Sequence, residues 1–109
     1  GFKIIHCDDF QKEGIDKIVD RIRKRVGDNA LYLSIDIDVL DPAFAPGTGT
    51  PEIAGMTTRE IVNVIRGLSG MNLISADVVE VAPAYDHAEV TSLAAATIVY
   101  ELTNLFAKK

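Results

Sequence analysis

A nearly uninterrupted apolar segment, residues 30–37, constrains the fold of this chain most. It reads ALYLSIDI and leads directly into acidic residues and a loop rich in proline and glycine. Strands that are covered on both faces of a parallel sheet carry such near-continuous apolar runs. In strands with one solvent-exposed face, apolar and polar residues alternate. The segment therefore predicts a central strand of a parallel sheet with helices on its faces.

Three helical patterns surround this segment. Across residues 11–26, apolar side chains recur every three or four positions, which predicts a helix with one buried face. Thr57 and Glu60 have the spacing of a capping box and predict the start of a second helix. Asp86 and Glu89 have the same spacing and predict the start of a third helix, which should run to the last few residues.

Two further runs, residues 2–6 and 72–81, predict additional strands. The resulting order βαβαβα is typical of an α/β fold, a three-layer α/β/α unit with a parallel sheet and right-handed crossovers. A chain of 109 residues is long enough for a single domain, residues 1–109. Because Gly1 already lies in a strand pattern, we expect this domain to be a portion of a larger one.

Acidic residues follow two of the predicted strands. Asp36 and Asp38 are two positions apart, so on a strand their side chains project from the same side. Glu80 lies at the end of the next predicted strand, and the carboxyl ends of parallel strands share one edge of a sheet. Three clustered carboxylates require a cation, a bound proton or a cationic substrate. The simplest partner is a divalent cation with oxygen ligands.

Other interpretations compete for this region, beginning with an acidic pair that is merely solvated. An EF-hand loop beginning at Asp36 requires glycine at its sixth position and glutamate at its twelfth, where this chain has Asp41 and Gly47. Phosphatases of the haloacid dehalogenase type also begin with two aspartates after an apolar strand. They expect threonine or valine where Leu40 stands, and this alternative stays open. The GTGT sequence of residues 47–50 lacks the lysine of a phosphate-binding loop.

The charge balance restricts the partners of the protein. Its 11 basic and 16 acidic residues give a net charge of −5, which argues against nucleic acid or an anionic membrane and suits a cationic substrate. Cys7 is the only cysteine, so no internal disulfide forms, as is usual in a reducing compartment. No uninterrupted apolar run approaches the length of about 18 residues that a membrane span needs. We expect a cytoplasmic protein, or a mitochondrial one in a eukaryote.

Residues 34–55, SIDIDVLDPAFAPGTGTPEIAG, resemble the second metal-binding signature of the ureohydrolases, the arginase and agmatinase family. Residues 77–96, DVVEVAPAYDHAEVTSLAAA, are similar to agmatinases more than to arginases. Ala54 departs from the pattern, because many members carry glycine there. The resemblance covers essentially the whole chain as the C-terminal third of a family member. The first block matches at the following positions: Ser34, Asp36, Asp38, Pro42, Pro46, Gly47 and Gly55.

The resemblance implies a role for each acidic residue. Asp36 and Asp38 become ligands of a binuclear Mn²⁺ centre, and Glu80 becomes the residue that holds the guanidinium group of the substrate. Carboxylates suit Mn²⁺ and also pair with a planar guanidinium through two hydrogen bonds. The implied reaction is attack of a metal-activated hydroxide on the guanidinium carbon, which releases urea and an amine. For an agmatinase the substrate is agmatine and the products are putrescine and urea.

In the family, further metal ligands come from upstream GGDHS-like and DAHxD-like segments, which these 109 residues do not contain. We therefore expect the full-length parent to be the enzyme and this chain alone to be inactive. The alternative is a non-catalytic fragment or assembly module. Because the family forms trimers or hexamers, we expect a homo-oligomer or association with a missing N-terminal piece. In the family fold, residues 2–6 form an edge strand that upstream strands separate from the other two.

The remaining polar residues have structural interpretations. We expect His6 and His87 to contribute to packing or to the surface rather than to a metal. Asp77, inside the third strand, should be a buried and paired acid, with support of the metal ligands as the alternative. Asp41 should fix the turn before the proline. Two loop residues are expected to contribute to the substrate pocket: Thr48 and Thr50.

Overall fold

The structure, a computed structural model, describes residues 1–108 as a short parallel sheet with helices. The strands are β1, Leu31–Asp36, and β2, Leu73–Val79. Two 3-10 turns follow the strands, Ile37–Val39 directly after β1 and Pro83–Tyr85 shortly after β2. The α-helices are α1, Cys7–Glu13; α2, Ile15–Val26; α3, Thr58–Gly67; and α4, Val90–Ala107.

The two strands pair in parallel, with α3 in the connection between them. In this register Ser34 lies opposite Asp77, and Asp36 lies opposite Val79. Because the strands run in the same direction, their carboxyl ends meet at one edge of the sheet. The predicted α/β class with a parallel sheet is confirmed.

The two faces of the sheet have different surroundings. Ile35 and Leu73 belong to the main core cluster together with apolar side chains of α3 and α4. On the other face of β1, Tyr32 is 55% exposed and Ser34 is also exposed. Burial of residues 30–37 on both faces was therefore the wrong expectation for the described residues. Of the predicted layers, these residues form the sheet and the helical layer on one face.

The predicted strand at residues 2–6 is not formed. Residues 1–6 have no regular secondary structure, and the side chains of Phe2 and Ile4 are exposed. A strand requires a partner for its backbone N–H and C=O groups. Within residues 1–108 the sheet consists of β1 and β2. The apolar pattern was real, but no described strand lies beside it.

The predicted helix across residues 11–26 is two helices. Gly14 separates α1 from α2 and has a φ angle of 82°, a conformation that glycine adopts at little steric cost. Its amide donates to the carbonyl oxygen of Phe10 and closes α1. The apolar periodicity continues across this break because α2 alone carries most of it, with Ile18 and Val19 buried.

The two predicted capping boxes have different outcomes. At α3 the box is confirmed, because the Glu60 amide donates to Thr57 Oγ1 over 3.1 Å and the Thr57 amide donates to Glu60 Oε2 over 2.8 Å. At α4 it was wrong. Glu89 has a left-handed backbone with φ 59° and makes no side-chain capping bond. Asp86 caps the helix by itself, and α4 begins at Val90.

Helix α4 is the longest element and packs against β2 and α3. Arg66 of α3 donates to the buried Glu101 of α4 through Nε, over 3.0 Å, and through Nη2, over 2.6 Å. Over 18 residues α4 has a mean hydropathy of 1.3, so its length and composition alone would suffice for a membrane crossing. A search for uninterrupted apolar runs missed this, since polar residues such as Glu101 break the run. Core helices meet the same test; in the described residues 28% of this helix is buried, and Glu101 is among its buried residues.

Candidate active site

The three predicted acidic residues lie at the carboxyl edge of the sheet. Asp36 is the last residue of β1. Asp38 lies in the 3-10 turn that follows directly, and Glu80 follows Val79, the residue opposite Asp36. Neighbouring strands are about 4.8 Å apart, so this register brings the backbones at Asp36 and Glu80 close together.

Asp36 and Asp38 do not project side by side from one strand. The strand ends at Asp36, whose Oδ1 accepts a hydrogen bond from the Asp38 amide over 3.1 Å and caps the 3-10 turn. Asp38 Oδ2 accepts a hydrogen bond from the Thr50 hydroxyl over 2.7 Å. Each carboxylate keeps its second oxygen free of hydrogen bonds from residues 1–108. Both side chains therefore have an oxygen available for a ligand.

Glu80 has an unusual backbone for a non-glycine residue. Its φ angle is 67°, in the left-handed region, and the residue is exposed. L-residues in this region are destabilised by about 1–2 kcal/mol, so the surrounding structure must impose the conformation. Such outliers concentrate at functional sites. Its carboxylate accepts no hydrogen bond from the part of the chain that the structure describes.

The donor chemistry at this edge fits a hard cation such as Mn²⁺, because carboxylate oxygens are its preferred protein ligands. The number of donors does not complete a site. Within residues 1–108, no group of three or more His, Cys, Asp or Glu side chains is arranged to hold a metal ion. Asp36, Asp38 and Glu80 therefore share one edge of the sheet, but within the described residues they do not by themselves form a group of three metal ligands.

At Gly55, the loop that follows Asp38 comes back into contact with its first residues, Val39 to Asp41. A Cβ atom on Gly55 would lie 2.6 Å from the Asp41 nitrogen and 2.9 Å from the Val39 oxygen, so this position requires glycine. Asp41 closes the loop, as its Oδ1 accepts from the Ala43 amide over 2.8 Å and its Oδ2 accepts from the Ala54 amide over 3.0 Å. The predicted turn-fixing role of Asp41 is confirmed.

Asp77 is the centre of a polar network on the uncovered sheet face. It accepts hydrogen bonds from Ser34 Oγ, over 2.6 Å, and from the Tyr32 hydroxyl. The bond from Ser34, together with that from Tyr32, lowers the pKa of Asp77, while the bond to Asp77 raises the pKa of Tyr32. Asp77 is paired, as predicted, but only half-buried. The register places it directly below the Asp36 and Val79 pair.

The other predicted residues lie apart from a metal arrangement. His6 precedes α1, and His87 lies before α4 rather than in its first turn. Both are exposed, and neither belongs to a group that could hold a metal ion within the described chain. Their structural interpretation is consistent with these positions. Thr50 contacts Asp38, whereas Thr48 is 3% exposed and its hydroxyl has no hydrogen-bond partner among residues 1–108.

Sequence reasoning missed the contacts that support the acidic residues. The bond from Thr50 to Asp38 and the contact of Gly47 with Asp86 have no characteristic spacing in sequence, since both depend on how the loop folds. The hydrogen bonds around Asp77 did have a signal in the sequence. Tyr32 and Ser34 are two positions apart on one strand, and in a strand with one solvent-exposed face both side chains would lie on that polar face.

Comparison with known proteins agrees with this geometry. The profile of the Arginase family matches residues 1–104. An agmatinase of Photorhabdus laumondii is 50% identical over 109 residues, which is 100% of this chain and 36% of that protein. The crystal structure of proclavaminate amidino hydrolase from Streptomyces clavuligerus is 42% identical, with a TM-score of 0.97 over 99% of this chain and 37% of that one.

An arginase from Bacillus subtilis is more distant in sequence but similar in fold. It is 32% identical, with a TM-score of 0.88 over 94% of this chain and 37% of that one. The chain thus spans about a third of the length of these proteins. Because the family profile covers nearly all of the 109 residues, the chain belongs to the arginase family.

Proposed function

We propose that the full-length polypeptide containing these residues is a ureohydrolase that hydrolyses agmatine to putrescine and urea with Mn²⁺. The observation that carries the proposal is the position of Asp36, Asp38 and Glu80 at the carboxyl edge of paired strands. Relatives named agmatinase that match the whole chain, among them one at 50% identity and one at 47%, favour agmatine over other guanidino compounds.

Asp36 and Asp38 would hold manganese through their uncommitted carboxylate oxygens. The Asp38 amide donates to Asp36 Oδ1, which would fix the geometry between the two ligands, and the Thr50 hydroxyl would orient Asp38. A bound manganese pair would supply Lewis-acid activation of water at neutral pH. The remaining ligands would come from the upstream part of a complete family domain, so we propose that the 109 residues alone are inactive.

Glu80 would bind the guanidinium group of the substrate. A planar guanidinium forms two parallel hydrogen bonds with a carboxylate, which fixes both its position and its orientation. The exposed carboxylate of Glu80, free of protein hydrogen bonds within residues 1–108, can provide such a contact. The net charge of −5 also favours the approach of a cationic substrate.

A second candidate function is a non-catalytic assembly module. The incomplete coordination shell among the described residues favours it. The match to the arginase family over residues 1–104 removes the phosphatase alternative.

As for family members, we propose that the full-length polypeptide forms a homo-oligomer. We also propose that it acts in the cytoplasm or in mitochondria.

Urea release by the full-length polypeptide tests the proposal. Urea is measured after incubation with agmatine or arginine, with Mn²⁺ and after chelation. We expect Mn²⁺-dependent release from agmatine, and a loss of at least about a hundredfold in kcat/KM for Glu80→Gln, which keeps the size of the side chain. Arginine is the matched control substrate. Absence of urea with both substrates would favour the assembly module, and urea from the isolated 109 residues would contradict the proposed incompleteness.

A further inference from the structure

We propose that Asp86 is a positioning residue, which holds the candidate metal ligand Asp38 in place through the loop formed by residues 47–50. We call these residues, with the sequence GTGT, the glycine–threonine loop. The inference rests on the proposed function, in which Asp38 binds manganese. It assigns a role to a carboxylate that the acidic edge of the sheet does not use.

Asp86 anchors the start of α4 through an unusual number of contacts. Its Oδ1 accepts from the amides of His87 and Thr91, each over 2.9 Å. Its Oδ2 accepts from the Ser92 amide over 3.0 Å and from the Ser92 hydroxyl over 3.1 Å. A carboxylate with these four bonds has little freedom, so Asp86 and the first turn of α4 form one rigid unit.

The same carboxylate remains ionised. Burial alone would raise the pKa of Asp86, but hydrogen bonds from Ser92, Thr91 and His87 outweigh it and lower the pKa well below the usual range. The anchor therefore keeps its charge at all pH values at which a ureohydrolase is assayed. An uncharged amide in its place would also turn an N–H group toward donors of the helix.

Gly47 connects this unit to the glycine–threonine loop. Its amide donates to the hydroxyl of Thr91 over 2.8 Å, and its carbonyl oxygen accepts from the Ala82 amide over 2.8 Å. A Cβ atom on Gly47 would lie 2.9 Å from the Asp86 Cβ and 3.0 Å from its Cα and Cγ. The backbone of Gly47 thus lies directly against Asp86. Hydrogen bonds hold both its amide and its carbonyl oxygen.

Thr50, three residues after Gly47, completes the connection to Asp38. Its hydroxyl donates to Asp38 Oδ2 over 2.7 Å. Because three residues span at most about 11 Å, the position of Gly47 limits where Thr50 can lie. The connection therefore runs from Asp86 through Gly47 and Thr50 to Asp38, and it joins the start of α4 to the candidate metal ligand.

Manganese affinity of the full-length polypeptide tests the proposal, measured by electron paramagnetic resonance of free Mn²⁺ well below the Tm of each variant. Substitutions of residues that orient metal ligands weaken binding about 10- to 100-fold. We expect losses in this range for Asp86→Asn and for Thr50→Val. Thr50→Ser keeps the hydroxyl and should bind within about threefold of the wild type. A Kd for Asp86→Asn equal to that of the wild type would overturn the proposal.

Glu101→Gln is the matched control for stability. It weakens another contact of α4, the pair with Arg66, which has no link to the glycine–threonine loop. It should lower Tm while leaving the Mn²⁺ affinity of the folded protein unchanged. An equal loss of affinity in Glu101→Gln would mean that Asp86 acts only through general stability, and would contradict the inference. If Asp86→Asn does not fold, Thr91→Val interrupts the same connection at Gly47.

A measurement without metal separates this inference from the proposed function. Hydrogen exchange of residues 47–50 should be faster in Asp86→Asn than in Glu101→Gln. If the wild type binds no Mn²⁺, the proposed function fails, and the exchange rates alone decide whether Asp86 holds the loop. Unchanged exchange in Asp86→Asn overturns the positioning role whatever the metal result.

Discussion

Two buried threonines near the candidate site differ in whether their hydroxyls have partners. Thr91 Oγ1 accepts from the Gly47 amide over 2.8 Å, whereas Thr48 Oγ1 has no hydrogen-bond partner within the described residues. Both side chains are nearly inaccessible to solvent. An unpaired buried hydroxyl retains the full cost of its desolvation, so these residues should respond differently to the same substitution.

We expect Thr48→Val to be neutral or to stabilise the fold by about 1 kcal/mol, because it removes an unpaired polar atom and keeps the shape. Thr91→Val should destabilise by about 1–3 kcal/mol, because it leaves the Gly47 amide without an acceptor. Chemical denaturation of the full-length polypeptide measures both. Comparable destabilisation by Thr48→Val would mean that a buried water or ligand satisfies its hydroxyl.

Ala54 shows how the backbone can contradict a residue type. Its φ angle is 68°, in the left-handed region, which is costly for alanine. We expect Ala54→Gly to stabilise by about 1 kcal/mol. Gly55→Ala is the matched control and should destabilise, since its Cβ would lie 2.6 Å from the Asp41 nitrogen. Thermal denaturation compares the two, and a lower Tm for Ala54→Gly would disprove the strain argument.

At the scale of elements, the pair of Arg66 and Glu101 joins α3 to α4. The hydrogen bonds from Arg66 lower the pKa of Glu101 and outweigh its burial. A carboxylate with a lowered folded pKa contributes stability that is present above its unfolded pKa, about 4.3, and is lost as the pH falls below it. The contact between these helices should therefore weaken in acid.

We expect the Tm of the protein to fall as the pH drops below about 4.3, the unfolded pKa of a glutamate, and to fall less steeply in Glu101→Gln. At neutral pH this variant should have a lower Tm than the wild type, since the amide keeps the shape of the side chain but loses the charge that pairs with Arg66. Scanning calorimetry at several pH values measures both effects. Parallel pH profiles for the two proteins would show that Glu101 carries none of the acid sensitivity.

The elements that were predicted correctly from the sequence are those that depend on local patterns. The apolar run of β1, the periodicity of α2 and the capping box of α3 act within a few residues, and all three were found. The strand at residues 2–6 failed because a strand depends on a distant partner. The break at Gly14 was hidden because apolar periodicity continued across it.

The candidate site likewise has a part that the sequence predicted and a part that depends on tertiary structure. The order of strands placed Asp36 and Glu80 at one edge, because parallel strands share their carboxyl ends. The position of Asp38 on a 3-10 turn, and its bond from Thr50, depend on the tertiary course of the loop. The link from Asp86 to Gly47 joins residues far apart in sequence, and no local pattern predicts it.

At the scale of the whole molecule, the described residues leave much apolar surface uncovered. Tyr32 on the sheet and Ile74 at β2 are exposed, as are Leu93, Val99 and Tyr100 on α4. Exposed apolar surface of this kind usually marks a contact with other protein surface. Since the chain spans about a third of the length of its relatives, much of this surface would be covered in a complete domain.

We expect the isolated 109 residues to associate as their concentration rises, because the uncovered apolar surface has no other partner in dilute solution. Sedimentation velocity measures this. Tyr100→Lys places a charge on the outward side of α4 and should reduce association. The control Lys24→Gln changes an exposed helix residue elsewhere and should leave it unaltered. A monomer at all concentrations would contradict the expectation.

The end of β1 at Asp36 has a consequence for how such a site can change. Asp36 belongs to the sheet, whereas Asp38 belongs to a turn that Thr50 and the glycine–threonine loop hold in place. Apart from the hydrogen bond that the Asp38 amide donates to Asp36 Oδ1, the two carboxylates are therefore held by different elements. Substitutions in the loop can shift one ligand while the other stays fixed. In the proposed manganese site, substitutions in the loop would therefore alter metal preference without altering the sheet.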